Sequence, residues 1–274
     1  MNGEHQSSRK KQKGNRGAVN PTPAGENSIT RYGDIYTNTI KDYFKEGTYI
    51  NKYQEKLQVR EYFNQVAEGY DKFYSNTLSI TENEHVKELI EKHLGDLKSE
   101  IIVDLGCGTG LLNRMFPDCN NITGVDISEN MLREARKQHP HGTFIRKDII
   151  STGLPDSSVE IVISLFGSLA YNDFDNVMKE VDRILIPGGC VFLMHLNRFS
   201  IRNIFHGFRK RRKYAIRYCD MDLNWLSPPA YMLSKKEIEN KMEKYLTAIE
   251  VVPLYDYKIK MFPHNLIGIG IKNV

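Results

Sequence analysis

Two hydrophobic rhythms alternate through the middle of this chain. Short, nearly unbroken apolar runs at 101–105, 122–126, 159–165 and 190–196 are rich in Ile, Val and Leu, as strands buried on both faces should be. Residues 144–148, opened by Phe144 and Ile145, read as the third strand. Between the runs, apolar residues recur at helical spacing. Leu111, Leu112, Met115 and Phe116 precede Pro117, and Met131, Leu132 and Ala135 follow a capping Ser128. Val177, Met178, Val181 and Ile184 mark a helix over 174–185 that stops at Pro187-Gly188-Gly189. Strands alternating with helices predict an α/β fold, a doubly wound and mostly parallel sheet with right-handed crossovers.

The flanks carry weaker versions of the same signals. Thr81-Glu82-Asn83-Glu84 reads as a capping box, opening a helix whose Val86, Leu89, Ile90, Leu94 and Leu97 cover one side of the sheet. Ser234-Lys235-Lys236-Glu237 reads as a second, before Ile238, Met242 and Leu246. Strands over 249–257 and 266–271 close the chain, and Pro253, lacking a ladder donor, marks the first as an edge strand. Residues 197–231 break the rhythm and read as an insertion after the fifth strand.

Candidate chemistry begins where the first strand ends. Gly106, Gly108 and Gly110 stand at alternate positions, the pattern of a sharp strand-to-helix turn with something pressed against its backbone. Glycines alone are a weak signal. Asp126 adds weight: it closes the second strand 22 residues after Asp104, where a Rossmann-type fold holds ribose hydroxyls.

The run Val103-Asp104-Leu105-Gly106-Cys107-Gly108-Thr109-Gly110, followed by Asp126 and Asp148, resembles the class I S-adenosylmethionine-dependent methyltransferases of the small-molecule type. The resemblance spans roughly 62–274 and is most specific over 101–196. It implies a Rossmann-like seven-stranded sheet in the order 3-2-1-4-5-7-6, with strand 7 antiparallel, a helical N-terminal cap and an acceptor lid inserted after strand 5. It also implies S-adenosylmethionine as cofactor. Gly106, Cys107, Gly108 and Gly110 would let the backbone approach the methionine and ribose portions, and Asp126 would accept both ribose hydroxyls. Ile127 and Met131 would flank the adenine, and Asp148 with Ile149 would meet its amino group and ring face. Asp104 would orient the turn or reach the ammonium through water, and Leu165 at the end of strand 4 completes the implied set. The segment 62–71 resembles the helix that such enzymes lay over the pocket, with Tyr70 closing on the cofactor. From spacing alone it is an amphipathic helix with aromatics on one face, which core packing explains equally well.

Transfer to oxygen usually requires a base, whereas a neutral amine needs only its lone pair. Tyr171 after strand 4 and His195 near the end of strand 5 are the two candidates, both at carboxyl ends of strands, where this fold binds ligands. A satisfied core histidine is the competing reading of Leu193-Met194-His195-Leu196. Ser164-Leu165-Phe166-Gly167-Ser168 stands where amino-methylating DNA enzymes carry an Asp/Asn-Pro-Pro-aromatic motif, and no Pro-Cys dipeptide appears there. The expected reaction is therefore methylation of a nitrogen or oxygen of a small-molecule acceptor.

Composition changes this picture little. A chain of 274 residues with 40% hydrophobic and 26% charged residues suits one globular core, and a net charge of +4 does not call for nucleic acid. Four cysteines show no C-x-x-C spacing and no metal pattern, which points to free thiols in a cytoplasmic protein. No apolar run is long enough to span a membrane. Residues 1–30 form a basic tail too polar to order, and 31–98 an aromatic-rich helical cap and first helix. Residues 99–197 are the cofactor-binding core, 198–233 a basic and aromatic lid, and 234–274 the closing helix and last two strands. Arg198, Arg202, Arg209, Lys210, Arg211, Arg212, Lys213 and Arg217, interleaved with Phe199, Ile201, Phe205 and Tyr214, read as a helical basic face. It leaves RNA or protein as alternative substrates open. A cofactor-binding protein without transferase activity is the third reading.

Overall fold

The computed structural model describes residues 52–200, 203, 211–213, 228–255 and 263–274. The basic tail, the first part of the aromatic cap and most of the lid expected at 198–233 lie outside the described residues.

The N-terminal described elements are α1 (Lys52–Val66), a 3-10 turn (Ala67–Gly69), α2 (Tyr70–Phe73) and α3 (Thr77–Leu94). The alternating core follows: β1 (Ile102–Leu105), α4 (Leu111–Met115), β2 (Ile122–Asp126), α5 (Glu129–Gln138), β3 (Thr143–Arg146) and β4 (Val159–Ser164). A 3-10 turn (Ser168–Tyr171), α6 (Phe174–Ile184) and β5 (Leu185–Leu196) complete its second half. After a small antiparallel pair, β6 (Arg211–Lys213) with β7 (Pro229–Tyr231), come α7 (Lys235–Met242), β8 (Leu246–Leu254) and β9 (Asn265–Lys272). The main sheet runs β3-β2-β1-β4-β5-β9-β8. β9 is antiparallel to β5 and lies between it and the edge strand β8, the expected 3-2-1-4-5-7-6 order once the small pair is counted separately.

Alternation along the parallel strands divides the core into two layers. Val103, Leu105 and Val162 pack with Phe174, Val177, Val181 and Ile238 under α6 and α7. Ile102, Ile161 and Ile163 pack on the other face with Val86, Ile90 and Leu112 under α3 and α4. Pro253 lies in β8, at the sheet's edge, where its missing donor breaks no interior ladder.

Several boundaries and one element type differ from the expectation; Leu246, expected in the closing helix, instead opens β8, which runs to Leu254 and not over 249–257. α3 begins a turn before the Thr81 box, because the Asn76 side chain accepts from Ser79 N at 3.1 Å and so caps the helix first. β5 begins at Leu185, directly after α6. Leu185 already pairs with Val159, and Pro187-Gly188-Gly189 is absorbed in a bulge before Cys190 pairs with Ile161, so it does not separate two elements. Arg211–Lys213, read as helical, is a strand paired with β7. Ser128 and the Ser234–Glu237 box cap α5 and α7 as expected. Among the described residues no helix is long and apolar enough to cross a membrane.

Candidate functional site

The carboxyl ends of β1, β2 and β4 open into a cavity of about 1360 Å³. The turn after β1 enters it because the amides of Gly106 and Cys107 both donate to Val125 O of the neighbouring strand, at 2.7 and 3.1 Å. The chain then bends back under positive φ at Gly106, Gly108 and Gly110. At Gly106 a side chain is impossible without movement, since an added Cβ would lie 2.2 Å from Ser168 Cβ. Ser168 is held there by donating to Leu105 O at 3.0 Å, beside Ser164, which donates to the same carbonyl at 2.7 Å. The chain reaches Ser168 through Phe166 and Gly167, both at positive φ. A phenylalanine in that conformation is strained, and such strain gathers at ligand sites.

At the glycine turn two acids face this cavity, with no cation paired to either among the described residues. Asp126 accepts from Gly108 N at 3.0 Å and Ser128 N at 2.8 Å, which fixes its carboxylate beside the glycine turn. Burial raises its pKa to about 6, opposed by the backbone donors of Ser128, Gly108 and Ile127. Asp104 is fully enclosed, and its Oδ1 has no hydrogen-bond partner among the described residues. Burial first, and then the charge of Asp126, push its pKa up to about 8. Unfilled acceptor capacity buried in a cavity wall is costly unless a donor-rich or cationic ligand completes it.

The structure brings most of the expected site residues to this cavity. Tyr70, Asp104, Gly106, Cys107, Gly108, Asp126, Ile127, Met131, Asp148, Ile149, Leu165 and Tyr171 all line it. Gly110 does not: it is the left-handed N-cap of α4, and a Cβ there would meet His139. His195 does not line it either. It is buried edge-on against Phe174 at 5.4 Å with Nδ1 turned to Leu196 O at 3.1 Å, and burial lowers its pKa to about 4. His195 is thus buried away from the residues that line the cavity, and its Nε2 has no hydrogen-bond partner among the described residues.

Sequence reasoning missed the side chains that seat the helical cap. Asn64 of α1 accepts from Ser128 Oγ at 2.8 Å and from Asn130 N at 3.3 Å, docking α1 on the start of α5. Asp71 of α2 accepts from Thr109 Oγ1 at 2.7 Å, Arg114 at 3.1 Å and Gln138 at 2.6 Å, bridging the glycine turn, α4 and α5. Lys56 pairs with Asp148 at 2.8 Å and also donates to Asn172. These partners are 38 to 116 positions apart, so no local pattern announces them. The aromatic stripe was the one visible signal: Phe63 meets Tyr171 edge-on at 5.3 Å and Tyr70 at 6.4 Å. Burial, and then Tyr74 beside it, push the Tyr70 phenol well above its ordinary range.

Comparison with known proteins reaches the same region. Residues 103–193 match the family model described as a methyltransferase domain. Solved methyltransferase structures share the fold: a SAM-dependent enzyme from Thermotoga maritima superposes with a TM-score of 0.57 at 17% identity, over 78% of this chain and 99% of its own. One from Mesorhizobium loti gives 0.55 at 20% identity, over 70% and 98%. Residues 103–193 are thus similar to a methyltransferase domain, and the fold is the one these solved structures share. Relatives of this chain include an uncharacterized protein of Methanocaldococcus jannaschii, 29% identical over 62% of the chain and 66% of its own length. A malonyl-acyl carrier protein O-methyltransferase of Pectobacterium atrosepticum is 30% identical over 57% and 59%. A demethylmenaquinone methyltransferase of Staphylococcus aureus is 27% identical over 52% and 62%. The match thus spans less than two thirds of each of these relatives.

Proposed function

We propose that this protein transfers a methyl group from S-adenosylmethionine to a nitrogen or oxygen of a small-molecule acceptor. The observation that carries the reading is a pair of acids at the glycine turn: Asp104, buried with Oδ1 unpartnered among the described residues, and Asp126, fixed by backbone amides with lone pairs left to accept from a ligand. S-adenosylmethionine offers what they lack, two ribose hydroxyls for Asp126 and an ammonium for Asp104. Ile127 and Met131 supply apolar faces for an adenine, and Asp148 with Ile149 an acceptor and a ring contact beside it. When bound, the sulfonium supplies a methyl carbon already activated for displacement. The chain's own contribution is then to orient an acceptor and keep water out. Phe63, Tyr70 and Tyr171, packed edge-on across the cavity, suit that task. Of the acceptors named for the two enzyme relatives, demethylmenaquinone is a small molecule, and the malonyl group is borne by a carrier protein.

The raised acids set a pH dependence. In the ligand-free protein Asp104 keeps a proton that the unfolded chain has lost above its ordinary 3.8, so its contribution to stability declines between about pH 4 and pH 8. A cationic ligand requires the carboxylate, so binding expels that proton. Affinity for S-adenosylmethionine is expected to fall about tenfold per pH unit below pH 8, and more steeply below pH 6 where Asp126 also titrates. Calorimetry in buffers of different ionisation enthalpy reads both the affinity and the released proton. Asp104→Asn should flatten the profile, and a wild-type affinity that ignores pH would refute the assignment of Asp104.

His195→Ala tests the other side of the assignment. It is expected to cost about 1–3 kcal/mol of stability through lost packing, while S-adenosylmethionine affinity stays at the wild-type value. A methyl-labelled cofactor incubated with fractionated small molecules, with detection of which one gains the label, tests the reaction itself.

A further inference from the structure

A volume of about 1360 Å³ exceeds the ~300–1,000 Å³ usual for a pocket holding one small ligand. The excess lies away from the glycine turn, along the first turns of α3 and the chain ends that follow β8 and precede β9. Its surface is unusual. Nine large hydrophobic side chains are exposed among the described residues, and five of them, Phe73, Tyr74, Leu78, Ile80 and Tyr255, line this cavity. Single exposed apolar side chains are ordinary, but a group gathered on one concave wall marks a binding surface. The early start of α3 at Thr77 is what places Leu78, 45% exposed, and Ile80, 48% exposed, on that wall.

One polar pair stands in the apolar wall. His264, immediately before β9, lies at the carboxyl edge of the sheet because Leu196 pairs with Asn265. Its Nε2 lies 2.5 Å from Glu82 Oε1 of α3, and both residues line the cavity. The imidazole thus orients the Glu82 carboxylate, whose second oxygen has no hydrogen-bond partner among the described residues and can accept from a ligand. A carboxylate oriented in this way is an acceptor for an O–H or N–H donor.

We propose that this outer chamber binds the methyl acceptor, an apolar molecule with a single protic head, the apolar body lying on Leu78, Ile80 and Tyr255 and the head donating to Glu82. The inference rests on the proposed function, since it names the acceptor class of the same site.

The test uses 4-alkylphenols with chains of two, four and six carbons, and 4-hexylanisole, in which a methyl replaces the head proton. Their binding to the full chain is measured by equilibrium dialysis with saturating S-adenosylhomocysteine. Affinity should rise about fourfold per methylene, and hexylphenol should bind about tenfold more tightly than hexylanisole. Leu78→Glu should weaken hexylphenol more than tenfold, and Glu82→Met should remove the preference for phenol over anisole. Chain-length independence, equal binding of phenol and anisole to the wild type, or tighter binding of hexylamine than hexylphenol would overturn the inference. The wild-type comparisons stand even where a variant fails to fold. S-adenosylhomocysteine affinity is measured in the same samples: if it is absent, the proposed function falls, whereas if it is present without alkylphenol selectivity, only the acceptor class falls.

Discussion

Asp126→Ala is expected to weaken S-adenosylmethionine binding by about a hundredfold or more. The carboxylate is held in place by the amides of Gly108 and Ser128, so its remaining lone pairs are presented without a further ordering cost. Two hydrogen bonds to a charged acceptor contribute roughly 1.5–3 kcal/mol each, which together correspond to about 10² to 10⁴ in affinity. Asp126→Asn keeps the shape and one acceptor oxygen and should fall between the two. Titration calorimetry, with thermal melting to confirm that each variant folds, reads the effect. Near-wild-type affinity in the alanine variant would remove Asp126 from the site.

The second large effect concerns folding. Gly106→Ala is expected to cost about 2–5 kcal/mol, from roughly 1–2 for a side chain at positive φ and roughly 1–3 for overpacking against Ser168. Gly108→Ala, at φ +54 with open space around the new Cβ, should incur only the backbone part. Pairing Gly106→Ala with Ser168→Gly should recover the overpacking share. Urea denaturation of the four proteins separates the contributions. Equal losses at Gly106 and Gly108 would show that the contact with Ser168 contributes nothing.

Much of the glycine-turn side of the cavity was legible in the chain because its signals are local. Gly106 and Gly108 announce a backbone that must bend where side chains cannot fit. Asp126 ends a strand whose neighbour is set by the short crossover before it. Ser128 and Ser234 cap their helices through bonds spanning three residues. The side of the cavity under the helical cap was legible only as composition. The aromatic residues before β1 were visible, but not that Asn64 and Asp71 would fasten them over the turn. His195 looked available because it ends a strand at the ligand edge, and the pleat turned it into the core instead.

From sequence order and periodicity alone came the alternating α/β core, the edge position of Pro253, and a glycine turn with an acid one strand away. These follow from bonds and contacts made within a few residues, or between neighbours that a right-handed crossover forces together. Folding alone settled which polar groups meet: Asp104 facing Asp126 without a cation, Lys56 on Asp148, and Glu82 held by His264 across 182 positions. Those meetings depend on how helices are laid over the sheet, a geometry set by the summed packing of two core layers, and no local pattern encodes it.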